Sequence, residues 1–356
     1  MKNKLEALET YRAFAALMIA ALHFELDTPI VDHALARGTF VHFFFTLSGF
    51  VIYYNYHDQF LNFFELKKFI KKRFLRLFPL HLFFLIIFLS IEILRYFAEL
   101  NFGISSATEP FEKNNFYAFV SNLLLLQTFL DQNTFNGPSW SISAEFYTYI
   151  LFGLMVFYRI KVIFFLIILI VILIFRQFYG PEFGPQTTYF SFIDCIYCFL
   201  IGSIFCELYF KIKKFDFYKN FTNTLVILSI LLVLFSIFDF EGKERYLRPF
   251  FFGILILFSS NLDKKTLLGK IICNNFFVFL GKISYSIYLS HVFIFWSVTQ
   301  ILQIIFNVGT YVDPNTGIKK LDIDIFYSSI LAIILYILTI LFSILTYKLI
   351  EKKFYR

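Results

Sequence analysis

Charged residues are scarce in this chain of 356 residues, where Asp, Glu, Lys and Arg together make up 16%, against about a quarter in a typical soluble domain. Glycine (14) and proline (8) are also too few for a low-complexity chain. Because hydrophobic residues reach 59% and long apolar runs recur from end to end, a soluble fold is excluded. Runs such as 164–175 do not alternate between polar and apolar residues, so they favour membrane-spanning helices over the strands of a barrel.

Cysteine is equally scarce, and its placement argues against redox or metal chemistry. Four cysteines do not make a disulfide framework. Cys195 and Cys198 form a C-x-x-C pair, but it lies within an apolar run and has no second metal-spaced pair. Helix packing is the favoured interpretation, and no metal site is predicted. Basic loops beside a membrane explain the net charge of +7, so no nucleic-acid partner is expected.

The N-terminus has some features of a secretory signal peptide. Lys2 and Lys4 precede an apolar stretch, and the Ala-Leu-Ala sequence at 34–36 resembles a cleavage site. However, Arg12 interrupts the apolar stretch, and four polar residues separate it from that site: Glu25, Asp27, Asp32 and His33. We therefore predict an uncleaved first span.

Eleven apolar windows are candidates for membrane spans. If all eleven crossed from a cytoplasmic N-terminus, the basic clusters at 159–161 and 211–219 would lie outside, against the positive-inside bias. The windows are 10–26, 39–56, 77–97, 116–130, 141–158, 162–178, 188–210, 222–238, 249–260, 276–300 and 325–347.

The window 116–130 is the one we predict not to cross. It is short for a span, which needs about 20 residues, and it leads into the polar stretch 131–138. Without that crossing, Lys and Arg are about three times as frequent on the cytoplasmic side as outside. We therefore predict an all-α transmembrane bundle of about ten spans plus one re-entrant or interfacial segment, with both termini cytoplasmic. We expect a single domain over 1–356 and no appended soluble domain.

Ionisable residues inside a span are costly unless they are paired or hydrated, and they mark functional sites by default. Arg12 and His23 are eleven residues apart, which places them about 20° from the same helical face and roughly 16 Å apart along the axis. The alternative is that Arg12 snorkels to the interface and His23 is a packed polar residue. Both interpretations remain open on these residues alone.

A second polar cluster begins the span at 141–158. Ser141 and Glu145 lie four residues apart, so they share a helical face at the predicted level of His23. Helix capping is the simpler alternative, and Trp140 and Tyr147 also suit an interfacial aromatic belt.

Two further clusters carry candidate binding residues. Arg73 and Arg76 can face one polyphosphate, because guanidinium forks suit phosphate oxygens. A plain positive-inside anchor is the alternative. Ser284, Tyr288 and His291 form a polar stripe on an otherwise apolar helix, although His291 alone is a weak signal.

Taken together, these clusters resemble the bacterial membrane-bound acyltransferase 3 family, the integral-membrane O-acyltransferases of cell-envelope saccharides. The match is collinear over nearly the whole chain, and the ordered set of motifs is specific. The matching segments are Arg12-x10-His23, 43–50 (FFFTLSGF), Arg73-x-x-Arg76-x-x-Pro79, 139–147 (SWSISAEFY), 281–291 (GKISYSIYLSH) and Ile350-Glu351-Lys352.

The resemblance implies a ten-helix domain in the bacterial inner membrane. It implies an acyl-CoA co-substrate, usually acetyl-CoA, that enters from the cytoplasm, and no permanently bound cofactor. The acceptor would be a hydroxyl of a saccharide or lipid-linked envelope molecule. The pantetheine arm of the donor could bridge the roughly 16 Å between Arg12 and His23.

On this basis we predict site residues with distinct roles. His23 is the general base for the acceptor hydroxyl, and Glu145 orients His23 or stabilises its imidazolium. The donor is bound by Arg12, Arg73 and Arg76. The acceptor or the tetrahedral oxyanion is positioned by Trp140, Ser141, Ser143, Tyr288 and His291.

Two alternatives remain open at this level. An acyl-histidine relay across the membrane competes with direct transfer to the acceptor. A proton-coupled transporter would also suit an intramembrane Arg and His and a broken segment, although no inverted repeat is evident.

Overall fold

The structure is a computed structural model that describes residues 5–24, 26–27, 39–59, 62–103, 108–130, 132–179, 189–240, 242–314 and 319–354. Lys2, Lys4 and the 34–36 sequence, on which the signal-peptide question depended, lie outside the described residues.

Helices form nearly all of the regular structure that the described residues contain. In chain order they are α1 Glu6–Ala21, α2 Thr39–Tyr56, α3 Phe63–Phe102, α4 Phe116–Leu123, α5 Trp140–Phe157, α6 Val162–Tyr179, α7 Tyr189–Ile212, α8 Asp216–Asn220, α9 Thr222–Asp239, α10 Arg248–Ser259, α11 Leu267–Ile272, α12 Asn275–Lys282, α13 Ser284–Phe306, α14 Ile325–Thr346 and α15 Lys352–Phe354. Short 3-10 turns cover Gly137–Ser139 and Gly242–Leu247, and a π-turn covers Tyr347–Glu351.

The prediction of a helical membrane protein is confirmed. Each of the ten windows predicted to cross contains a helix, and six helical segments of the described chain are long and apolar enough to span a bilayer. Those six are Phe63–Phe102, Gly137–Phe157, Phe190–Ile212, Thr222–Asp239, Ser284–Phe306 and Ile325–Phe354. The number of ten crossings and the cytoplasmic termini stay predictions.

The window 116–130 does not form a spanning helix. α4 has eight residues and rises only about 12 Å, and the chain then turns at Leu125, whose φ is 56°. The segment is tied to the start of α5, because Gln127 donates to the carbonyl oxygen of Ser139 at 3.0 Å and Thr128 donates to that of Trp140 at 2.9 Å. These bonds hold the segment against the bundle.

The basic cluster before the third window is part of one long helix. α3 begins at an Asn62 cap, whose side chain accepts from the Glu65 amide at 3.0 Å, and continues for 40 residues through Pro79. A helix of this length measures about 60 Å, twice the thickness of the hydrocarbon layer. Arg73 and Arg76 are therefore held rigidly by the same helix that enters the core.

Helices α2 and α7 make backbone contact where two glycines meet the opposing chain. A Cβ atom at Gly49 would lie 2.0 Å from the carbonyl oxygen of Phe199, and one at Gly202 would lie 1.9 Å from that of Thr46. No larger residue fits at either position. This close crossing fixes Ser48, the neighbour of Gly49, against the interior of the bundle.

One feature departs from the all-α expectation. Strands Thr310–Val312 and Lys319–Leu321, β1 and β2, form an antiparallel hairpin between α13 and α14, with Thr310 opposite Leu321. Lys320 on β2 is buried and bridges Asp27 and Asp313 at 2.6 and 2.7 Å. The pairing anchors the hairpin over the end of α1 that carries His23.

Candidate active site

A cavity of about 550 Å³ runs into the bundle from the end at which α1 begins. Its walls come from α1, α2, α3, α5, α12 and α13. Cationic side chains line one part of it, namely Arg12, Arg73, Arg76 and Lys282. Its acidic side chains are Glu6, Glu9 and Glu145, and its uncharged polar lining includes Ser48, Ser141, Ser284 and Tyr288. The structure thus brings all three predicted donor-binding arginines into one cavity with the predicted carboxylate.

Two of the three arginines have carboxylate partners. Arg12 pairs with Glu9 at 3.3 Å, one turn earlier on α1. Arg76 pairs with Glu351 of the π-turn, and Glu351 also accepts from Ser286 at 2.7 Å. Because the Glu351 side chain is almost fully buried (1% exposed), the ion pair holds the Arg76 guanidinium at the cavity wall.

Arg73 differs from the other two in its surroundings. Its guanidinium lies 5.6 Å from the centre of the Tyr56 ring, 5.9 Å from that of Phe69 and 6.0 Å from that of Tyr149. Within the described chain it has no carboxylate partner, and its buried Nε has no hydrogen-bond partner. A cation with this environment is ready to receive an anionic ligand from the cavity.

Glu145 is fixed by two hydroxyl groups on the same oxygen. Ser48 donates to Oε1 at 2.5 Å, and the Tyr149 hydroxyl donates to the same atom. These bonds leave Oε2 as the oxygen that remains for a ligand in the cavity. Ser48 and Tyr149 line the candidate site and bond to Glu145, yet the sequence analysis gave them no role, although Ser48 lies in the 43–50 motif.

Tyr288 lies between the cavity and the histidine pair. Its hydroxyl donates to the Pro138 carbonyl oxygen at 2.8 Å and lies 2.7 Å from Ser141 Oγ. The centre of its ring is 6.1 Å from that of His291, which lies about one turn further along α13. The predicted stripe of Ser284, Tyr288 and His291 therefore leads from the cavity to a histidine pair.

His23 follows α1 in a turn, because the helix itself ends at Ala21. His23 Nδ1 lies 3.1 Å from His291 Nε2 and 2.9 Å from the carbonyl oxygen of Ile19. The two histidines differ in burial, since His23 is exposed and His291 is fully buried. Phe24 and Phe295 pack beside the pair, with ring centres 4.4 Å apart.

The structure does not bring Glu145 into contact with His23, so the predicted role of Glu145 in orienting His23 or stabilising its imidazolium stays a prediction. Among the described residues the hydrogen bonds of Glu145 go to Ser48 and Tyr149, and His291 is the side chain beside His23. The reason is packing, since Glu145 on α5 faces α2, whereas the end of α1 packs against α13. Sequence spacing placed both groups at one level but not on facing helices.

Trp140 and Ser143, predicted to position the acceptor, do not line the cavity in the part of the chain described. Ser143 is fully buried and donates to the Leu125 carbonyl oxygen at 2.5 Å. The Trp140 carbonyl accepts from Thr128, and its ring packs edge-on against Phe45 with centres 6.3 Å apart. Both residues hold the 116–130 segment, whose location the sequence did not reveal.

The helical bundle is that of a multi-pass membrane protein with a cavity lined by cationic and acidic side chains inside the bundle. Residues 5–348 match the Acyl_transf_3 family, an acyltransferase domain, and the chain belongs to this family of acyltransferases.

One curated relative is similar over part of its length. The acyltransferase MdmB of Streptomyces mycarofaciens is 33% identical over 164 residues, which cover 42% of this chain and 39% of the relative. The match thus spans about two fifths of that protein. No solved structure matches the chain.

Proposed function

We propose that the protein transfers an acyl group, acetyl in the simplest case, from acyl-CoA to a hydroxyl of an envelope saccharide or lipid-linked sugar at the bacterial cytoplasmic membrane. Membership of an acyltransferase family supports the class of reaction. The acyl-CoA donor, the acyl group and the acceptor are those that the family resemblance implies, and the arginines of the cavity support a donor that carries phosphate groups.

The single observation that carries the proposal is Arg73, a cation without a carboxylate partner among the described residues, on the wall of a cavity that also contains Arg12 and Arg76. Coenzyme A carries several phosphate groups, and guanidinium forks bind phosphate oxygens in pairs. The aromatic rings around Arg73 restrict its orientation. We infer that the phosphates lie at the arginines and that the thioester extends toward Ser141 and Tyr288.

The acceptor approaches from the opposite side in this proposal. His23 is exposed, so a hydroxyl from outside the bundle can reach its imidazole, while the donor cavity ends at Tyr288 on the other side of His291. A site of this form joins a soluble cytoplasmic donor to an acceptor beyond the membrane.

The chemistry assigned to these groups is direct acyl transfer. The His23 imidazole removes the proton of the acceptor hydroxyl, whose oxygen forms a bond to the thioester carbonyl carbon. The carbon–sulfur bond then breaks, and the departing CoA thiolate takes the proton from the His23 imidazolium. Glu145, held through Oε1, presents its other oxygen to the donor and fixes the donor's polar groups as the thioester reacts.

The test compares purified protein in lipid nanodiscs with two arginine-region variants. With acetyl-CoA and an envelope glycan extract we expect release of the CoA thiol and a mass increase of one acetyl group on a glycan. Arg73→Ala removes one charge-assisted interaction worth about 1.5–3 kcal/mol, so KM for acetyl-CoA should rise by about tenfold or more. Lys72→Ala is the matched control, since Lys72 is the exposed neighbour on α3 outside the cavity lining.

Two results would contradict the proposal. Equal KM values for the Arg73→Ala and Lys72→Ala variants would remove the donor site from this cavity. Absence of thiol release by the wild-type protein with every envelope extract and acyl-CoA tried would refute the acyl-CoA reaction itself.

A further inference from the structure

The two histidines at the outer end of the site form a chain of hydrogen bonds with a defined direction. His291 Nδ1 lies 3.3 Å from the carbonyl oxygen of Ile287, and His23 Nδ1 lies 2.9 Å from that of Ile19. A carbonyl oxygen only accepts hydrogen bonds. Both Nδ1 atoms therefore carry the proton in the neutral rings, and both Nε2 atoms carry the lone pair.

With these tautomers, the contact between the two rings is a hydrogen bond with one donor and one acceptor. His291 Nε2, with its lone pair, lies 3.1 Å from His23 Nδ1, which carries its proton. The proton of His23 Nδ1 is thus shared between the Ile19 carbonyl and the His291 ring, and His291 is itself fixed by Ile287. The opposite tautomer of His291 would place two N–H groups against each other.

We infer that His291 is a positioning residue that, together with the Ile19 carbonyl oxygen, holds His23 in the Nδ1–H tautomer and so keeps the basic lone pair on His23 Nε2. The inference rests on the proposed function only for the role of His23 as the base. A partner of this kind sets which nitrogen of a catalytic histidine is basic.

Burial supports this role over the predicted role in acceptor binding. His291 is fully buried, whereas His23 is exposed. A residue that binds an acceptor from outside needs exposed surface, while a residue that orients a base lies behind it. Phe295 and Tyr288 flank the His291 ring, with ring centres at 5.7 and 6.1 Å, and keep it in place.

The arrangement differs from a carboxylate–histidine pair in charge. His291 presents a neutral acceptor, so it fixes the tautomer of His23 without adding a buried negative charge. In a membrane protein this avoids the desolvation cost of a buried carboxylate.

The test uses protein with ¹⁵N-labelled histidine in nanodiscs, with the His23 signals assigned by their loss in His23→Gln. In the wild type we expect the proton of His23 on Nδ1. In His291→Gln the amide oxygen accepts in place of Nε2, so the tautomer and most of the activity should be retained. In His291→Leu only the Ile19 carbonyl oxygen still accepts from His23 Nδ1, so we expect the Nε2–H tautomer to appear beside the Nδ1–H tautomer. We also expect a loss in kcat of about 10- to 100-fold, with little change in KM for acetyl-CoA.

Each outcome supports or overturns the assignment. A wild-type His23 that carries its proton on Nε2, or a His291→Leu variant with an unchanged tautomer, overturns it. Equal activity losses in the Gln and Leu variants would assign His291 a role other than accepting this hydrogen bond. If the wild-type protein releases no CoA thiol, the proposed function fails, while the spectra still decide the tautomer.

Discussion

Within the described part of the chain, the cationic residues inside the bundle fall into two groups, those that pair with a carboxylate and those that do not. Arg176 is buried, is paired with Asp194, and lies between the rings of Tyr197 and Tyr246 at 4.5 and 4.4 Å. Arg73 has aromatic neighbours but no carboxylate within the described residues. Both cations are costly in a membrane, but only Arg73 lines the cavity and has charge available for a ligand.

The buried pair of Arg176 and Asp194 should stabilise the fold without taking part in the reaction. Asp194→Asn leaves Arg176 as an uncompensated buried charge, which costs about 3–5 kcal/mol. We expect a clearly lower Tm in detergent. Asp216→Asn is the control, since it breaks an exposed i,i+3 pair with Lys219 and should change Tm little. Equal Tm shifts in both variants would contradict a stabilising role for the buried pair.

The hydroxyl of Tyr149 should matter through Glu145. Tyr149→Phe keeps the ring beside Arg73 but removes one of the two donors to Glu145 Oε1. Because hydrogen bonds to charged groups contribute about 1.5–3 kcal/mol, kcat for acyl transfer should fall by about tenfold or more. Tyr158→Phe, at an exposed position after the same helix, is the control. An unchanged kcat in Tyr149→Phe would show that the Glu145 position does not depend on this bond.

At the scale of the elements, the length of each apolar run predicted where helices form. It did not predict which helices contact each other. Ten windows contain the expected helices, because each apolar run has to satisfy its own backbone in lipid. The sequence did not predict that α3 is one continuous helix over Phe63–Phe102. The first turns of α3 are rich in Lys and Arg, so they fell outside the apolar window. Ser143 and Glu145 both carry polar groups on α5, yet only the packing of the 116–130 segment shows that Ser143 faces that segment.

The hairpin of β1 and β2 is a second element that composition did not predict, and its anchor is electrostatic. Hydrogen bonds from Lys320 and then Tyr311 lower the pKa of Asp27 below its ordinary value of 3.8. The bond to Asp27 raises the pKa of Tyr311 to about 12. The ionised form of Asp27 therefore stabilises the docked hairpin more than the protonated form does.

This anchor should respond to acid. Because the pKa of Asp27 is lower in the folded state, its stabilisation is complete above about pH 4 and is lost as the pH falls through that lowered value. Hydrogen exchange of peptides covering 308–314 and 319–323 should show faster hairpin opening in Asp27→Asn at neutral pH. Asp322→Asn, at an exposed position beside β2, is the control. Equal protection in the wild type and Asp27→Asn would refute the anchor.

At the scale of the whole molecule, the site joins the two ends of the bundle. The arginines lie where α1 begins, and the histidine pair lies where it ends. Sequence spacing predicted this separation from Arg12 and His23, because an α-helix has a fixed rise. It did not predict that Tyr288 lies between the two parts, since that requires α13 to pack against both α1 and the start of α5.

The proposed reaction also requires that these two ends face opposite sides of the membrane, which depends on whether 116–130 crosses. Lys113 and Lys214 lie on either side of that segment in the chain and are both exposed. If the segment does not cross, three spans (141–158, 162–178 and 188–210) separate the two lysines and place them on opposite sides. If it crosses, four spans separate them and both lie on the same side. The eight residues of α4 favour the first arrangement.

Cysteine labelling distinguishes the two arrangements. The background variant is Cys273→Ser, since the other three native cysteines are buried. With a membrane-impermeant maleimide, we expect Lys113→Cys to react in intact spheroplasts and Lys214→Cys to react only after permeabilisation. Protection of both, or reaction of both, in intact spheroplasts would mean that 116–130 crosses. The arginine end and the histidine end would then need a new assignment to the cytoplasmic and outer sides, because the charge asymmetry that oriented them assumed that this segment turns back.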